Sequence, residues 1–129
     1  MTTFAQVKTK VRSMMVAVRQ LNLDANKQLQ INRGVTNVLP PNFSRSFSDL
    51  RTLYQEAADA QADFDGVTAD DGEALEFAQM DLIVEDAKRI VGLGQGAYDP
   101  QTHMPELEGD TRNILQHASG VSNLGSAPI

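Results

Sequence analysis

The feature that most constrains this chain is a regular spacing of apolar residues in its first quarter. These residues are separated alternately by three and four positions, which keeps one side of an α-helix continuously apolar. They are Phe4, Val7, Val11, Met14, Val18, Leu21 and Ala25. No Gly or Pro interrupts residues 3–32, and Gly34 stands where helix C-termini are commonly capped. The pattern predicts one long helix over about residues 3–32.

Two more helices are predicted before residue 93. Pro40 and Pro41 cannot continue a helix, because proline lacks an amide donor and restricts the residue before it. Beyond them, one apolar series predicts a helix over about residues 46–65, and another predicts a helix over about residues 73–92. The third helix has apolar residues around most of its circumference, so we expect it to be the most deeply buried. The candidate N-caps of the second helix are Ser44, Ser46 and Ser48.

The last third of the chain has a different character. Gly and Pro recur from Gly92 to Gly109, and they predict a loop. A short helix is predicted over about residues 110–118, followed by an extended arm. We therefore expect an all-α protein with a helical core in residues 1–93, either a helical hairpin or a three-helix bundle with a long N-terminal helix. Residues 94–129 are expected to form the loop, the short helix and a Gly/Pro-rich C-terminal arm.

The composition argues against several classes of protein. The chain has no Cys, so it can form neither a disulfide framework nor a thiolate metal site. Basic residues near the start leave no apolar signal core, and the longest apolar runs fall far short of the roughly 20 residues that cross a bilayer. We expect no signal peptide, no transmembrane segment and no membrane partner. The expected location is the cytoplasm, or a particle assembled there.

Three motifs could carry chemistry, and each is weak. The acidic residues from Asp63 onward miss the calcium-loop spacing, because Thr68 stands where that loop needs Gly and Ala74 where it needs Glu. The glycines of residues 92–96 follow a predicted helix, whereas phosphate loops usually follow a strand. His103 and His117 lack metal-binding spacing. We expect no enzyme activity, no catalytic residue, no metal and no cofactor.

The net charge of −6 is unevenly distributed. Residues 1–33 hold six Lys and Arg against one Asp, whereas residues 56–87 hold eleven Asp and Glu and no Lys or Arg. In one interpretation, the basic first helix lies along the acidic helices of its own chain. In the other, it faces an anionic partner, either nucleic acid or an acidic protein surface. The candidate contacts for that partner are Lys8, Lys10, Arg12 and Arg19.

The apolar stripes also allow two interpretations, because heptad spacing suits both an intramolecular bundle and a seam with another chain. The Gly/Pro-rich segment and tail could lie on a neighbouring subunit as an arm that gains order in the complex. The candidate partner-binding residues of this arm are Tyr98, Met104, Leu107, Val121, Leu124 and Ile129.

These features favour a non-enzymatic structural or assembly protein that acts through helix packing and a C-terminal arm in a larger multi-subunit particle. A tailed-phage virion or its head-to-tail connector is one such setting. The expected partners are other protein subunits, copies of the same chain included, and nucleic acid is less favoured. The alternative is a binding or regulatory module whose basic N-terminal helix contacts an anionic partner.

Overall fold

A computed structural model describes residues 2–64, 70–93, 100–121 and 124, and for residues 100–104 it describes the backbone alone. Within these residues the chain forms four helices: α1 (Phe4–Asn32), α2 (Phe43–Asp63), α3 (Asp71–Leu93) and α4 (Pro100–Ala118). The same residues contain no β-strand and only an isolated bridge between Thr2 and Phe64. The predicted all-α class is confirmed.

Helix α1 begins and ends as its sequence predicts. The Thr3 hydroxyl accepts a hydrogen bond from the Gln6 amide, and the Gln6 side chain accepts one from the Thr3 amide, which is a complete capping box. At the other end, Gly34 has φ +84°. The amides of Gly34 and Val35 donate to carbonyls in the last turn, at 3.0 Å each, as in a Schellman cap. The left-handed backbone at residue 34 explains why glycine stands there.

Helix α2 begins three residues earlier than predicted, because its N-cap is an asparagine and not a serine. The Asn42 side chain accepts a hydrogen bond of 3.1 Å from the Arg45 amide. The earlier start places Phe43 against the core as a half-buried side chain. The predicted caps Ser44, Ser46 and Ser48 all lie inside the helix.

Helix α4 is the largest departure from the sequence prediction. The short helix predicted over about residues 110–118 is the C-terminal half of a helix that begins at Pro100, so residues 100–109 are helical and not a loop. Pro105 lies in the second turn, where its missing amide removes a single intrahelical hydrogen bond. The predicted loop residues 94–99 lie outside the described residues.

Helices α1 and α2 run antiparallel, so that the start of α1 lies beside the end of α2. Thr2, before α1, donates from its amide to the Asp63 carboxylate at the end of α2, at 2.7 Å. Helix α3 contacts α4 through Asp86 and His117, whose side chains lie 3.0 Å apart. Packing is most extensive between α1 and α2 and between α3 and α4. The fourth helix therefore completes a core for which only three helices were predicted.

The core draws on all four helices, and six of the seven residues of the α1 apolar series are fully buried in it; Phe4, the seventh, is half-buried. The expectation that the third helix is the most deeply buried is wrong. Ile83 and Ile90 are fully buried, but Leu75 is 72% exposed and Leu82 is 44% exposed, so its apolar residues do not all face the core. In the part of the chain that the structure describes, none of the helices has the length and apolar content that a membrane crossing requires.

Two leucines in α1 provide a matched test of this packing. Leu21 is fully buried, whereas Leu23, two residues further on, is 44% exposed. Leu21→Ala should lower the free energy of unfolding by about 2–5 kcal/mol, because it removes buried methyl groups and leaves a cavity. Leu23→Ala should change it by less than about 1 kcal/mol. Urea unfolding followed by circular dichroism measures both values, and equal losses would contradict the assigned face of α1.

Candidate protein-binding surface

A cleft of about 680 Å³ lies between α1 and α2, close to the segment that connects them. Its lining combines apolar side chains with charges of both signs. The apolar part includes Val16, Pro40 and Leu53. The polar part includes Lys27, Arg45, Asp49, Asp24 and Ser46. Such a mixture suits a protein segment better than a uniformly apolar or uniformly charged ligand.

The Asp24 carboxylate, only 3% exposed as a residue, lies among the lining residues of this cleft. It accepts a hydrogen bond from the Ser46 hydroxyl of α2, and the Lys27 ammonium lies 3.6 Å away. A buried carboxylate is tolerated when hydrogen bonds and a cation compensate it, as they do here. We therefore assign Asp24 and Ser46 to the joint between α1 and α2. One feature of the sequence sets Asp24 apart: it is the only acidic residue among residues 1–33.

Large apolar side chains are exposed along α1 and the connection that follows it. Val16 and Leu23 lie two helical turns apart on the side of α1 that faces away from the core. Leu39, in the connection, is 74% exposed. The complete set on this part of the molecule, which we call the α1 outer surface, is Val16, Leu23, Ile31, Val35 and Leu39.

Two of the four basic candidates on α1 lie close to carboxylates of other helices. Lys8 lies 2.9 Å from Glu76 of α3, and Lys10 lies 3.8 Å from Glu56 of α2. These contacts match the interpretation in which the basic helix lies along the acidic helices of its own chain. Each partly exposed pair contributes about 0.2–1 kcal/mol, so the contacts help to orient the helices more than to stabilise them. Arg12 and Arg19 are exposed on the surface of α1.

Three of the six C-terminal candidates lie in the core. Leu107 and Leu124 are fully buried and Val121 nearly so, and all three belong to the core of the chain itself. They are covered by the chain's own helices, so in this conformation they present no surface to a neighbouring subunit. Of the other three, Tyr98 and Ile129 and the side chain of Met104 lie outside the described residues.

A polar cluster joins α3 to α4. The Asp86 carboxylate, 5% exposed, accepts a 2.6 Å hydrogen bond from Arg89, and the His117 Nδ1 atom lies 3.0 Å from it. Burial raises the pKa of the nearby Asp110 carboxyl; Arg89 opposes this shift, whereas the charges of Asp86 and Glu106 add to it. Sequence reasoning missed Asp86 as the partner of His117, because 31 residues separate them.

Comparison of the chain with protein-family models, with curated proteins and with solved structures found no match. Among the described residues, no group of three or more His, Asp or Glu side chains is arranged to hold a metal ion.

Two serines of α2 test the joint between α1 and α2. Ser46 is buried and donates to Asp24, whereas Ser48 is exposed. Ser46→Ala should lower the free energy of unfolding by about 1–3 kcal/mol, because it leaves a buried carboxylate short of a donor. Ser48→Ala should change it by less than about 0.5 kcal/mol. The comparison uses chemical denaturation at neutral pH. A Ser46→Ala variant as stable as wild type would show that this hydrogen bond does not stabilise the fold.

Asp110 predicts a pH-dependent effect. Its folded-state pKa lies above the ordinary value of 3.8, so the folded chain holds this proton more tightly than the unfolded chain does. The stability that this provides is fully present below the ordinary pKa and is lost as pH rises through the folded pKa. Asp110→Asn should therefore raise the melting temperature at pH 7, and the gain should disappear towards pH 3. Glu108→Gln, an exposed change on the same helix, is the control; a destabilised Asp110→Asn variant at pH 7 would contradict the raised pKa.

Proposed function

We propose that this chain is a non-enzymatic structural or assembly protein that binds other protein subunits in a larger multi-subunit particle. The observation that carries the proposal is the α1 outer surface, where large apolar side chains follow one another along a helix and its connection. Isolated exposed apolar residues are ordinary on soluble proteins, whereas an aligned series is typical of a surface that another protein covers.

The energetics support a protein partner. Complete burial of a Val or Leu side chain contributes about 1.5–3 kcal/mol, and covering the exposed fractions of Val16, Leu23 and Leu39 would contribute roughly 1–2 kcal/mol each, so a few such residues can sustain an interface. The adjacent cleft adds Lys27, Arg45 and Asp49, charges suited to the polar rim of an interface. The contact surface of the proposal is therefore α1 and its cleft. It does not include Leu107, Val121 or Leu124, because the chain's own core already uses them.

A tailed-phage virion or its head-to-tail connector is one particle in which such a subunit would serve, and the proposed location is the cytoplasm or a particle assembled there. In that setting the helical bundle would act as a compact unit held in place by its neighbours. The support is the kind of surface that the chain exposes, which suits permanent protein contact.

The alternative is a module whose basic N-terminal helix binds an anionic partner. The exposed Arg19 favours it. The pairing of Lys8 with Glu76 and of Lys10 with Glu56 weighs against it, because these two cations already face carboxylates of the same chain. We therefore rank it second.

The proposal is tested by the size and composition of the native complex. The tagged full-length chain should sediment from its native extract within a particle of fixed stoichiometry, and the association should survive high salt and nuclease. Leu39→Asp should reduce its incorporation several-fold, because a charge replaces a contact residue that is 74% exposed in the free chain. Thr36→Asp, an exposed change in the same connection, is the matched control.

Two results would contradict the assembly role. In the first, the chain migrates as a free monomer in the native extract. In the second, nuclease or moderate salt releases the chain, which would favour the alternative, because phosphate contacts weaken steeply with salt.

A further inference from the structure

Helices α1 and α3 carry outward stripes with the same spacing. On α1 the stripe is Arg12, Val16, Arg19 and Leu23, and on α3 it is Asp71, Leu75, Ala78 and Leu82. Both series are spaced by four, three and four residues, so each forms one line along its helix. Every member of both stripes is exposed. Each stripe contains two large apolar side chains two turns apart, at positions 16 and 23 on α1 and at positions 75 and 82 on α3.

The two stripes differ in charge. The α1 stripe contains two arginines, whereas the α3 stripe begins with Asp71 and is followed one turn after Leu82 by the exposed Glu85. One turn further on, Arg89 ends the acidic stretch, and its guanidinium is held by Asp86 at 2.6 Å. The stripes are therefore alike in apolar spacing and opposite in charge.

We propose that the α3 stripe of one copy of this chain packs against the α1 stripe of a second copy. This inference rests on the proposed function and names the partner subunit. The apolar pairs align whether the helices run parallel or antiparallel, because both pairs are seven residues apart. In either direction Arg19 lies opposite Ala78 or its immediate neighbour, and the methyl group of Ala78 leaves room for the arginine stem.

The charges favour this pairing over the symmetric ones. When the apolar pairs are aligned, Arg12 faces Asp71 in a parallel arrangement; in an antiparallel one it lies opposite position 86, next to the exposed Glu85. An α1-to-α1 contact would oppose arginines to arginines, and an α3-to-α3 contact would oppose carboxylates to carboxylates, both of which are unfavourable. The interface therefore joins two different surfaces. Interfaces of this kind repeat from copy to copy and generate rings or filaments.

Two complementary variants test the pairing. Val16→Asp with Leu23→Asp blocks the α1 stripe, and Leu75→Asp with Leu82→Asp blocks the α3 stripe; all four positions are exposed, so the core is untouched. A third variant, Ser44→Asp with Ser48→Asp, adds the same charge to exposed positions of α2 and serves as the control. Circular dichroism confirms that each full-length variant folds, and sedimentation velocity then measures the masses at low salt.

The wild type and the α2 control should form species larger than a dimer as concentration rises. Each blocked variant alone should remain a monomer. An equal mixture of the two blocked variants should give a dimer and nothing larger, because each supplies the one stripe that the other lacks. In the wild-type background, Arg12→Glu should weaken association about tenfold. Adding Asp71→Arg should restore association if the two helices run parallel, and adding Glu85→Arg should restore it if they run antiparallel.

Three results would overturn the pairing. They are a wild-type chain that stays monomeric at every concentration, an α3-blocked variant that assembles like wild type, and a mixture that stays monomeric. Each is distinguishable from failure of the proposed function. A chain that is monomeric alone but enters the native particle keeps its assembly role, whereas one that self-associates but enters no particle loses it.

Discussion

The packing of the apolar side of α1 is the interaction on which the rest of the structure depends. Six residues of its series, from Val7 to Ala25, are fully buried, and the most extensive contacts of α1 are with α2. Polar contacts fix the register near both ends, through Thr2 with Asp63 and Asp24 with Ser46. Because this seam is used within the chain, only the opposite side of α1 remains for another molecule. Fold and proposed function thus follow from one helix with two different faces.

Local spacing was enough to predict α1, α2 and α3, and it failed for α4 for an identifiable reason. Leu107, Thr111, Ile114 and Ala118 follow the same four-three-four spacing and are all buried. Thr111 interrupts the apolar series, however, and its hydroxyl accepts a hydrogen bond of 3.0 Å from Asn22 of α1. With Pro105 and Gly109 nearby, the local sequence resembles a loop. Packing of these residues against the other helices overrides that local preference.

The candidate surface was only partly predictable for a similar reason. The basic candidates on α1 were identified from charge alone, but the carboxylates that Lys8 and Lys10 contact lie more than 40 residues away in the chain. The third helix was expected to be buried around most of its circumference, but Leu75 and Leu82 are exposed, because composition does not distinguish an inward from an outward position. The Asp86 and His117 contact likewise joins two helices that sequence spacing could not relate.

Thiol accessibility tests the two-faced character of α1 most directly, since the chain has no cysteine of its own. Single substitutions Leu21→Cys and Leu23→Cys report on the inner and outer faces. At low protein concentration, position 23 should react rapidly with a thiol reagent and position 21 slowly. As concentration rises, labelling at position 23 should slow while position 21 stays unchanged. Equal reactivity at the two positions in the dilute chain, or a rate at position 23 independent of concentration, would contradict the account.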